Sequence, residues 1–138
     1  MSRSVGSRLG DERGAVLVAG LLLSLALMIA IGAGVDIGHA FIVRRELVSL
    51  ADDAALTGSQ ALDLQALHQG RLALDPELAR AAALQTLARE PGLRGHAAAN
   101  SADVQVEVQR RVPTILLRLV GVSTLTVGAD ATAAPREP

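Results

Sequence analysis

The sequence contains no cysteine, tryptophan, tyrosine or lysine, and Phe41 is its only aromatic residue. Without cysteine there is no disulfide, no thiolate metal site and no thiol nucleophile, and the redox compartment is not written in the chain. Large rings usually supply much of a core's buried area. Here a core must be assembled from Ala, Leu and Val, in 138 residues that allow one domain of modest size. A large catalytic pocket is not expected. All thirteen basic residues are Arg and the formal net charge is −1, which gives no basic footprint for nucleic acid.

What the chain does have is a long apolar run. From Ala15 to Val35, AVLVAGLLLSLALMIAIGAGV, twenty-one consecutive positions carry no charge, and Ser24 is the one polar side chain. At ~1.5 Å per residue this run is about 30 Å long as a helix, the hydrocarbon thickness of a bilayer. Gly20, Gly32 and Gly34 are tolerated there because a helix in lipid must satisfy its backbone internally. A cleaved signal peptide is the rival reading, with Arg3, Arg8 and Arg13 as a basic leader, but its apolar region normally runs only ~7–15 residues. A fully buried soluble helix is disfavoured because so short a chain could not wrap it on all sides. Arg3, Arg8 and Arg13 precede the run while Asp36, Arg44 and Arg45 follow it, which leans toward a cytoplasmic N-terminus.

No proline interrupts the chain before Pro76, and helical spacing continues to about Leu62. Ala33, Ile37, Ala40, Leu47, Ala51, Ala54, Gly58 and Leu62 recur at steps of three, four or seven, a face of mostly small residues. Gly34 and Gly38 form a small-xxx-small pair where the helix leaves the apolar run. Such a face suits a close helix partner, or equally the chain's own C-terminal module. Asp36 stands at the rim of the span, where a carboxylate either meets headgroup water or pairs with an Arg of a partner.

Arg13-Gly14 before the span, Asp36-x-Gly38 after it, Arg44-Arg45, and Leu47 leading into Ala51-Asp52-x-Ala54-Ala55-Leu56-x-Gly58 together resemble the N-terminal region of TadE/TadG-like proteins of the Flp (Tad) pilus assembly system. The pattern departs at Val48, where Gln is common, and at Asp53 and Thr57, where Ala is common. The resemblance implies a membrane-anchored pilin-like or pilus-accessory protein in the cytoplasmic membrane, its tail outside. Its implied partners are the bilayer and other pilus or secretion-apparatus membrane proteins, met through the small-residue face. Related pseudopilins are cut after a Gly preceding the apolar run, which maps to Gly14 and Ala15, and carry a Glu at the fifth position. Here that position is Ala19, which points to an uncleaved chain or to one cleaved without the docking role of that Glu.

Beyond Leu62, Asp75 suits an N-cap for a helix from Pro76 to Arg89, with Pro at the first helical position and Glu77 in the first turn. Gly92 to Ser101 reads as a loop. Val104, Val106 and Val108 alternate with Gln105, Glu107 and Gln109, and Leu125, Val127, Ala129 and Ala131 alternate with polar or small neighbours, giving two half-buried strands. Val112 to Gly121 reads as a short apolar helix stopped by Gly121. The expected fold is α+β: a leader (1–14), one transmembrane helix (15–35) extended as a long pilin-like helix (36–62), and a small extracytoplasmic module (63–138) of a second helix and a strand–short helix–strand unit.

Catalysis finds no support in the sequence. His39, His68 and His96 fall in three separate segments without ligand spacing, and Asp52 and Asp53 point ~100° apart on a helix, too divergent to share a proton. No cofactor, metal, small-molecule substrate or nucleic acid is expected. Two other readings remain open: an unrelated bitopic envelope interaction protein, and a secreted module released by signal cleavage.

Overall fold

The computed structural model describes residues 6–136, with side chains over residues 13–136; Arg3 and the Arg8 side chain lie outside what is described. The fold is α+β. Helix α1 runs unbroken over Gly6–Gly58, 53 residues, followed by α2 (Leu64–His68), α3 (Pro76–Leu87), and strands β1 (Arg94–Ala99), β2 (Val104–Pro113) and β3 (Thr124–Ala133). The chain divides into two compact units, one holding α1 up to Ile37 together with Thr114–Ser123, the other holding Gly38–Pro113 and the chain from Thr124 onward.

In the first unit the apolar part of α1 exposes Val16, Leu17, Leu21, Leu22, Leu23, Leu25 and Leu27 on all sides. A helix that is apolar all round and uncovered by its own chain is not adapted to water. Among the described residues it is the one helix long and apolar enough to cross a bilayer. Ser24 donates its hydroxyl to the Gly20 carbonyl at 2.9 Å, so the span's polar side chain is satisfied within its own helix.

In the second unit, α1 turns Val43, Leu47, Ala51, Ala54, Ala55 and Gly58 inward, one helical stripe at steps of three and four. Ala79, Ala83 and Leu87 are the matching stripe of α3. Both pack on an antiparallel sheet ordered β1-β2-β3, whose inner face carries Ala97, Val104, Val106, Val108, Val112, Val127, Ala129 and Ala131. With so many methyl side chains, close approach replaces bulk. A Cβ placed on Gly58 would lie 2.8 Å from the Ala79 carbonyl oxygen and 3.1 Å from Val104 Cγ1, so α1, α3 and β2 meet at a point where only glycine fits.

The caps follow from short polar side chains. Asp75 accepts from the amides of Glu77 and Leu78, both at 3.1 Å, with Pro76 at the first helical position. Asp63 does the same for α2, accepting from Gln65 and Ala66. Asn100 closes the β1–β2 turn by accepting from the amides of Ala102 and Asp103.

Three local expectations need correction. The segment Gly92–Ser101 is not all loop: Arg94–Ala99 is an edge strand paired along β2, with Ala97 opposite Val106. RGHAAA buries only Ala97 and has no β-branched residue, so its conformation comes from its neighbour. The stretch Val112–Gly121 is not a helix; β2 continues through Val112 to Pro113, and only Leu117–Val120 makes a 3-10 turn, ended by Gly121 at φ 93°. The inward row of β2 persists through Arg110, whose guanidinium reaches Glu46 at 3.7 Å and Glu90 at 3.8 Å at the edge of the core. Finally α1 ends at Gly58, and Leu62 bridges Leu74 across the α2 segment instead of extending the helix face.

Gly58→Val should lower the stability of the full chain in detergent by about 1–3 kcal/mol through overpacking. Without tryptophan or tyrosine, the loss is best read as a drop in the far-ultraviolet circular dichroism melting midpoint. By contrast, Arg110→Ala should cost less than ~1 kcal/mol, because its partners are solvated and exposed ion pairs contribute little.

Candidate functional site

The site most distinct from ordinary packing lies in the first unit, at the end of the apolar span. Asp36 exposes only 5% of its surface, and its carboxylate accepts from three successive amides: Ile115 at 2.9 Å on Oδ1, and Leu116 at 2.9 Å and Leu117 at 2.7 Å on Oδ2. These amides begin the 3-10 turn, whose own flanking residue, Leu116, has no side chain able to cap it. A helix start leaves its first N–H groups without intrahelical acceptors. Here a carboxylate from α1 supplies the cap across 79–81 residues of sequence.

One turn earlier on α1, Gly32 completes the arrangement. A Cβ on Gly32 would lie 2.6 Å from Leu116 Cβ and Cδ1, so the Leu116 side chain rests directly on the glycine surface. The base of the loop is closed by the Thr114 amide donating to the Ser123 carbonyl at 3.1 Å and by the Thr114 hydroxyl donating to the Val122 carbonyl. Asp36 is thus shielded from solvent, and its carboxylate oxygens accept from amides of its own chain.

The other residues singled out from the sequence are dispersed. Leu47, Ala51, Ala54, Ala55 and Gly58 are buried in the second unit, where the small face is covered by the chain's own module. Arg44, Arg45, Asp52 and Leu56 are exposed. Gly34 and Gly38 have open space where a Cβ would stand. Ile37, expected on the small face, is exposed. Gly14 and Ala15 lie exposed on α1 with open space around Gly14. His39, His68 and His96 stay apart, and no group placed to hold a metal occurs among the described residues. On the wet face of the sheet, β pairing sets His96 opposite Glu107 and Glu107 opposite Asp130, beside a shallow hollow of about 580 Å³.

The relationship to known proteins agrees with this architecture. The family described as Flp pilus-assembly TadE/G-like matches residues 14–71, and the family described as Tad-like Flp pilus-assembly matches residues 45–133, more than half of the chain. The chain belongs to the Tad family of Flp pilus-assembly proteins. Comparison with curated proteins and with solved structures gives no significant match. The first Tad match spans α1 and α2, and the second spans the second unit and the apolar loop, so both partners of the Asp36 clamp fall within Tad-matched sequence.

Sequence reasoning singled out Asp36 but not Gly32, Leu116 or the loop amides, because nothing local links positions 79 residues apart. Asp36→Ala should speed amide hydrogen exchange at residues 115–117 by about tenfold or more, since hydrogen bonds to a charged group are worth ~1.5–3 kcal/mol, while the α1 amides keep their protection. Gly32→Leu should release the same loop by displacing Leu116.

Proposed function

We propose that this Tad-family chain is a membrane-anchored, pilin-like or accessory component of a Flp/Tad-type pilus or related secretion apparatus. It is non-enzymatic, with its N-terminus cytoplasmic and its α+β module outside the cytoplasmic membrane. The observation that carries the reading is α1: one uninterrupted helix whose first part presents bare leucines and valines and whose last part forms the packed stripe of the module. A bare apolar helix continuous in sequence with a folded module suits a subunit held at a bilayer.

The module covers the small-residue face from Leu47 to Gly58, which leaves Gly34 and Gly38 as the open small pair of α1. In our reading this pair meets helices of other apparatus proteins at the membrane boundary, where absent side chains permit close backbone contact. The leader remains attached, consistent with Ala19 in place of a docking Glu.

Intact-mass analysis of the protein from washed native membranes should give the full-length chain. A new N-terminus at Ala15 would make it a processed pseudopilin, and one near Gly34 with a soluble module would sink the anchored reading. Gly34→Leu combined with Gly38→Leu should reduce co-purification with pilus membrane proteins by about tenfold, the equivalent of ~1.4 kcal/mol, at unchanged cellular abundance. Unaltered pili and co-purification would instead mean that the Gly34–Gly38 pair is not the contact surface.

A further inference from the structure

The connection between β2 and β3 has a surface unsuited to water. Within Thr114–Ser123, Ile115 is 69% and Leu119 76% exposed, and Val120 and Val122 are also uncovered. The strands on either side present mainly charged and polar side chains outward, so between β2 and β3 the exposed apolar side chains fall in this loop. Four large apolar side chains turned outward in so short a segment mark a contact surface.

We propose that this loop is a second, shallow membrane insertion of the chain, and that what covers its leucines and valines is the lipid of the bilayer crossed by α1. The inference rests on the anchored reading of α1 given above. Position supports lipid as the occupant: Leu116 lies against Gly32, which belongs to the uncharged Ala15–Val35 run, about one helical turn from its end. The loop is therefore held beside hydrocarbon-facing helix, and its exposed residues continue that apolar surface.

The backbone of the loop is prepared for the same environment. Irregular chain at membrane depth is tolerated only where its polar groups are satisfied without water. The amides of residues 115–117 go to Asp36, that of Thr114 to Ser123, and those of Leu119, Gly121 and Val122 to carbonyls within the loop. The Thr114 hydroxyl is likewise committed to the Val122 carbonyl. Arg118 is the loop's single charged residue, and a long Arg stem lets its guanidinium reach headgroup phosphates while its neighbours stay in the acyl region. Lipid accounts for these features together, whereas contact with a second copy would not call for so many of the loop's amides to be committed within the chain.

The chain's lack of cysteine makes the test direct. Single nitroxide labels are placed on Leu119→Cys, on Leu23→Cys as the hydrocarbon reference and on Gln105→Cys as the water reference. The full chain is reconstituted at high dilution in phosphatidylethanolamine/phosphatidylglycerol vesicles, and collision rates are measured with oxygen, which concentrates in lipid, and with a water-soluble nickel chelate. The Leu119 label should follow the Leu23 label, rich in oxygen collisions and poor in nickel. Adding Asp36→Ala should raise nickel access at Leu119 severalfold while leaving Leu23 unchanged. A Leu119 label matching Gln105 overturns the inference with the anchor intact. So does a Leu119 label shielded from both reagents with spin–spin broadening, which would mean a second copy covers the loop. Nickel access at Leu23 would remove the anchored reading itself.

Discussion

An amide turned away from water must find an acceptor, and at residues 115–117 three successive amides find the same one. Breaking such a set is costly because no water is at hand to take the acceptor's place. Asp36 satisfies them from a neighbouring helix, and in return the amides satisfy a carboxylate that would otherwise be expensive to bury. Each group makes the other tolerable. Gly32 adds the steric half of the bargain: without a side chain there, Leu116 can lie flat on the helix and bring its amides within reach of Asp36.

The second unit meets a different constraint, the lack of rings. A core of Ala and Val cannot gain much area per side chain, since burial contributes roughly 25 cal/mol per Å² of apolar surface. It compensates by bringing backbones close. Gly58 under Ala79 and Val104, and Gly95 with its would-be Cβ 2.5 Å from Leu87 Cδ1, are the two tightest approaches in this unit. At Gly58 the obstacle is a backbone carbonyl and only glycine fits, at Gly95 a larger residue would have to displace the Leu87 side chain, and Gly34 and Gly38 on the same helix as Gly58 face open space. Identical residues along one helix thus perform separate tasks, inward packing in one stretch and an uncovered surface in the other.

Much of this was legible in the sequence wherever a signal is local. The uncharged Ala15–Val35 run, the Asp75-Pro76 start of α3 and the Val/Gln alternation of β2 each depend on neighbours within a few residues, and each appears as read. The elements that escaped depend on distant partners. β1 is a strand because β2 lies beside it, not because RGHAAA favours extension. Arg110 hid the continuation of β2 because its charge broke the apolar alternation, yet its position on the inward row is satisfied by Glu46 and Glu90 from other elements. α2 is too short to carry a periodic pattern. The apolar stretch after Pro113 has the composition of a buried helix, yet its amides are taken by Asp36 and by the loop's own closing bonds, partners distant in sequence.

The spacing of the Asp36 clamp has a consequence for biosynthesis. Chains emerge from the ribosome at about 5–20 residues per second, so the amides that complete Asp36, 79–81 residues downstream, follow it by several seconds. On the anchored reading proposed above, the helix enters the bilayer during that interval, before the loop amides have been made. At the rim, transient solvation by water and headgroups makes the wait affordable, whereas at mid-span the same residue would oppose insertion. The position of Asp36 just past Val35 thus reconciles the order in which the chain is made with the contacts of its finished form.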